Sequence, residues 1–139
     1  MHQPPPAPPI VVLTFVDRLV AVNMHTGQHI WEYPTEVTRG GRVFVDQGIV
    51  IYTGTNTIHC IDYLTGQARW KAPNNLGYTV ANMLVFAGCV LMSATGNFVC
   101  LNAQNGAQLW QEKFTHKTAI MGGNALAAPG VAAQVDKTS

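Results

Sequence analysis

The side chains able to do chemistry in this 139-residue chain are three cysteines, five histidines and seven carboxylates. Their spacing organises none of them into a reactive set. Cys60, Cys89 and Cys100 form no Cys-x-x-Cys pair. Structural zinc is held by four ligands at short paired spacings, so these thiols read as free and buried, which fits a reducing compartment. His25, His29, His59 and His116 show no ligand pattern. His25 and His29 are four apart, which shares a face only on a helix, and a turn intervenes here. The carboxylates Asp17, Glu32, Glu36, Asp46, Asp62, Glu112 and Asp136 are scattered. "TRGG" and "MGGN" lack the strand-to-helix setting in which Gly-rich loops hold phosphate. No nucleophile elbow, P-loop or dinucleotide fingerprint is present. The expectation is a protein that is not an enzyme and needs neither metal nor cofactor.

Composition narrows the partners. Hydrophobic residues make up 47% of the chain and charged residues 11%, well below the ~25% of an average soluble domain. Elements buried on more than one side account for such a balance. A net charge of +1 gives no basic footprint for nucleic acid or an acidic membrane. The start "MHQPPPAPPI" has neither the basic segment nor the apolar run of a signal peptide, and no stretch approaches the ~20 apolar residues of a membrane helix. A cytoplasmic location is therefore expected.

What recurs is a tryptophan four residues after a glycine, as Gly27 and Trp31, Gly66 and Trp70, and Gly106 and Trp110. A shift of 39 lays Ile10–Thr14 on Ile49–Thr53, and a shift of 40 lays Gly48 on Gly88 and Cys60 on Cys100. Each unit reads as short β-branched and aromatic runs, such as "RVFVD", "GIVIYTG", "TIHCID" and "QARWKA", separated by turn residues. No window holds a helical period. Four antiparallel strands at a period near 40 are the mark of a β-propeller blade.

"AVNMHTGQHIW", "CIDYLTGQARW" and "CLNAQNGAQLW" resemble the repeat of PQQ-like propellers, A-x-D-x-x-T-G-x-x-x-W. The small residue is Ala21, Cys60 or Cys100; the Asp position holds Asn23, Asp62 or Asn102. The resemblance spans about residues 10 to 128. It implies that Trp31, Trp70 and Trp110 lie on outer strands and clamp neighbouring blades, with Gly27, Gly66 and Gly106 at the turns. A tryptophan has the area and the single N–H donor for such a clamp, and glycine adopts the positive φ of a tight reversal. Quinone-dependent enzymes of this family use a central cofactor, a calcium site of acidic ligands, a catalytic Asp and often adjacent cysteines; none of these can be placed on this sequence.

The first unit lacks its innermost strand, and Gly122–Ala128 lies where a fourth unit would begin. The expected architecture is thus all-β: three blades over residues 10–128, the C-terminal strand completing the first blade, with tails at 1–9 and 129–139. Three blades cannot close a ring, so head-to-tail association is expected, two copies giving six blades and three giving nine. Arg42, Asp46 and Asn82 are the polar residues of the innermost strands and the candidate lining of an axis, where a ring of Arg42 could hold an anion. The expected role is a self-assembling scaffold that binds itself and another protein. The alternatives are a small-molecule binder or enzyme with its site on the symmetry axis, and a subunit completing a larger propeller.

Overall fold

Strand formation follows the repeat unit by unit in the computed structural model, which describes residues 9–37, 41–76, 80, 82–94 and 96–114. Blade 1 contains β1 (Ile10–Thr14), β2 (Arg18–Asn23) and β3 (His29–Pro34). Blade 2 contains β4 (Arg42–Asp46), β5 (Ile49–Thr53), β6 (Thr57–Asp62) and β7 (Ala68–Pro73). Blade 3 contains β8 (Asn82–Phe86), β9 (Cys89–Ala94), β10 (Asn97–Asn102) and β11 (Gln108–Lys113). Each blade is one antiparallel sheet whose strands pair in chain order. Among the described residues there is no helix, and none long and apolar enough to cross a membrane.

Register shows which strands correspond. Ile10 pairs with Asn23, Ile49 with Asp62 and Cys89 with Asn102. So β1 is the counterpart of β5 and β9, and β4 and β8 are the inner strands. The strand expected to complete blade 1 at Gly122–Ala128, and both tails but for Pro9, lie outside the described residues.

Two local devices set the geometry. The β4–β5 and β8–β9 hairpins turn at Gln47-Gly48 (φ 49° and 79°) and Ala87-Gly88 (φ 53° and 76°). Two consecutive positive φ angles make the two-residue turn whose twist suits a hairpin. Each outer strand is then offset by a bulge, between Ala21 and Val22, Cys60 and Ile61, and Cys100 and Leu101. A residue left unpaired there shifts the alternation by one. Ala21 thereby pairs with Trp31, Cys60 with Trp70 and Cys100 with Trp110.

Burial explains the low charge. β5 is buried at every position, because blade 1 covers one side and blade 3 the other. Leu19, Ala21, Trp31 and Tyr33 meet Val50, Tyr52 and Ile61 between blades 1 and 2. Ile51, Cys60 and Trp70 meet Val90, Met92 and Leu101 between blades 2 and 3. Continuous apolar runs are what a strand covered on both faces requires.

Candidate protein-interaction surfaces

One turn recurs in all three blades, and its copies in blades 2 and 3 build the joints between blades. Asn23 Oδ1 accepts from the amides of His25 (2.8 Å) and Thr26 (3.2 Å). Asp62 Oδ1 accepts from Leu64 (3.0 Å) and Thr65 (3.1 Å), and Asn102 Oδ1 from Gln104 (2.8 Å). The glycine closes each turn, its amide donating to the carbonyl of Asn23, Asp62 or Asn102 at 2.7, 2.9 and 2.8 Å. Its φ is +74°, +74° and +76°. At Asp62 the carboxylate also bonds Arg69 at 2.8 Å, and this guanidinium, then the Thr65 amide, holds its pKa down to about 2.

Onto this turn the preceding blade lays its tryptophan. Trp31 Nε1 donates to the Tyr63 carbonyl at 2.9 Å, and its ring covers Gly66 so closely that an added Cβ would sit 2.6 Å from it. Trp70 Nε1 donates to the Ala103 carbonyl at 2.8 Å and its ring covers Gly106. Both tryptophans are 8% exposed. The indole thus has its single donor satisfied and its face desolvated.

Among the described residues, the third tryptophan and the first glycine have no such contact. Trp110 sits at the same register but is 43% exposed, and its strand β11 is exposed throughout. Nothing lies within 4 Å of where a Cβ on Gly27 would be, and Met24 beside it is 69% exposed. Also on blade 1, Phe15, Val16, Arg18, Val20, His29 and Glu32 line an open groove of about 410 Å³. Arg18 bonds Asp17 (3.0 Å) and Glu32 (3.2 Å) at its rim.

The axis candidates separate. The Arg42 guanidinium lies 5.7 Å from the centre of the Phe44 ring. Asp46 Oδ2 accepts from the Val85 amide at 3.3 Å while Gln47 Nε2 donates to the Val85 carbonyl at 2.8 Å. Those two residues hold the backbone N–H and C=O of one β8 residue, Val85, and tie blade 2 to the inner strand of blade 3. Asn82 begins β8 and is half-buried.

One polar network escaped sequence reasoning. Tyr33 Oη and His59 Nδ1 are 2.9 Å apart, and His59 Nε2 lies 2.9 Å from Glu36 Oε2. His59 is 4% exposed and packs against the rings of Tyr33 and Tyr52. Burial, and then the Glu36 carboxylate, raises the Tyr33 pKa. The available signal was a histidine inside the apolar run "TIHCID". Among the described residues no three His, Cys, Asp or Glu side chains gather as a metal-binding group.

The cysteines are free. Burial pushes the Cys60 thiol up to about 11, and burial with the neighbouring Cys89 pushes Cys100 up to about 11. An unfolded thiol ionises near its ordinary value of 9.0. Both thiols therefore support the fold fully below pH 9 and lose that support between about 9 and 11. The expected loss is on the order of 1 kcal/mol per pH unit for each thiol. Urea midpoints measured across this range check it, and a flat profile would contradict it.

A comparison with protein families decides what kind of propeller this is. The family described as the outer membrane protein assembly factor BamB matches residues 9–137. The chain belongs to this family. The crystal structure of BamB from Moraxella catarrhalis superposes with a TM-score of 0.58 at 25% identity, over 75% of this chain and 33% of that one. The BamB-like chain thus spans about a third of that BamB. A quinohemoprotein alcohol dehydrogenase from Pseudomonas putida HK5 gives 0.57 at 14% identity, over 75% of this chain and 25% of that one. The computationally designed Ika8 protein gives 0.56 at 13% identity, over 73% and 35%. The last two share the fold alone. No curated protein sequence matches significantly.

Proposed function

We propose that this chain is a non-enzymatic propeller segment that works as a protein-interaction and assembly module. The observation that supports it most is the forward face of blade 3. Trp110 at 43% and Phe114 at 38% are exposed there, where Trp70, the counterpart of Trp110 in blade 2, is buried at 8%. Exposed contiguous apolar surface of this kind marks a binding site. The family is named for an assembly factor, a task done by binding. The rival reading is quinone-dependent oxidation, suggested by the dehydrogenase neighbour. It needs a cluster of acidic ligands, whereas Asp62 holds a turn, Asp46 and Glu36 make inter-blade contacts and Glu32 pairs with Arg18 at the surface.

The test is calorimetry with pyrroloquinoline quinone and calcium, together with a dye-linked assay of alcohol oxidation. The expected result is no stoichiometric binding and no turnover. Tight one-to-one binding with oxidation would overturn the reading.

A further inference from the structure

Every internal joint needs two parts: a tryptophan, and a glycine turn that the ring can cover. Among the described residues one part of each kind is unused. Across blade 3, Leu84, Leu91, Cys100 and Trp110 stand in register. They repeat the row Phe44, Ile51, Cys60 and Trp70 with which blade 2 meets blade 3. On blade 1, Leu13 and Met24 occupy the positions of Tyr52 and Tyr63, which meet blade 1 across the first joint. They are 40% and 69% exposed. In the blade 3 row Leu84 and Cys100 are buried, at 8% and 5% exposed, and Trp110 is its open part at 43%; among the described residues no blade covers Trp110 or the blade 1 surface. The two surfaces are complementary, since each is half of a contact that the chain makes twice within itself.

We infer that a second copy of this chain supplies the missing half. Trp110 of one copy lies on Gly27 of the other and donates its Nε1 hydrogen to the Met24 carbonyl, as Trp31 does to Tyr63 and Trp70 to Ala103. The contact is head-to-tail, so it repeats until the ring closes, and two copies give six blades. The inference rests on the interaction reading above and names its partner.

Mass in solution, measured by light scattering at micromolar concentration, tests it on the wild type, Trp110→Ala, Gly27→Ala and Gly48→Ala. Gly48 has the same left-handed backbone (φ +79°) and open surroundings but lies in a hairpin away from the joint. The wild type should weigh about twice 15.0 kDa. Trp110→Ala and Gly27→Ala should each weaken association about thirty-fold or more, as loss of a buried tryptophan anchor does. Gly48→Ala should leave association unchanged, and circular dichroism should show all three variants folded. Mixing Trp110→Ala with Gly27→Ala should recover a dimer, because one intact joint remains between the unlike copies. A monomeric wild type would overturn the inference and assign the face to a different protein or to further blades. Association insensitive to both variants, or no recovery on mixing, would overturn it too. None of these outcomes touches the interaction reading, which falls only to quinone binding with turnover.

Discussion

Trp70→Ala is expected to lower stability by about 3–5 kcal/mol, the cost typical of emptying a buried aromatic site. The ring is 8% exposed, sits in the core between blades 2 and 3, and holds the Ala103 carbonyl at 2.8 Å. Truncation removes the packing and leaves that carbonyl without its indole donor. A folded chain is stable by only ~5–15 kcal/mol, so the variant should melt far below the wild type or fail to fold. Chemical denaturation decides it. An unchanged urea midpoint would mean that the tryptophan does not carry the joint.

Gly106→Ala should be nearly as damaging, for a different reason. Its φ of +76° is unfavourable for any residue with a Cβ, at ~1–2 kcal/mol. Beyond that, the Cβ would overlap the Trp70 ring, and overpacking of this kind adds ~1–3 kcal/mol. Gly48→Ala meets only the first penalty, because nothing lies within 4 Å of its Cβ position. The difference between the two unfolding midpoints isolates the steric part. Equal midpoints would show that the ring gives way and that glycine serves only the turn.

The repeat was legible because it states a geometric demand three times. A positive φ selects glycine at Gly27, Gly66 and Gly106, and a neighbouring blade selects a large ring with one donor. The boundaries of all eleven described strands follow the turn residues between the apolar runs. The Tyr33–His59–Glu36 network was not legible, because it belongs to one joint only. Val20 and Val99 hold the place of His59 in the other blades, and Ala72 and Glu112 that of Tyr33. No periodicity can reveal a feature used once. Asp46 illustrates a second gap. Strand position placed it near an axis, while its bond to Val85 depends on how closely two inner strands approach. The different fates of the three tryptophans were equally hidden. Their sequence surroundings match, and what separates Trp31 and Trp70 from Trp110 is that, among the described residues, a following blade covers the first two.

Hydrogen exchange at the three indole Nε1 positions, followed by NMR, tests the recurring joint most directly. Trp31 and Trp70 should exchange slowly at every protein concentration, because their donors are bonded to Tyr63 and Ala103 inside the chain. Trp110 should exchange fast in dilute solution and slow down as the protein is concentrated and a second copy covers it. Fast exchange at all three positions would contradict the joint, and fast exchange of Trp110 at every concentration would contradict its use between copies.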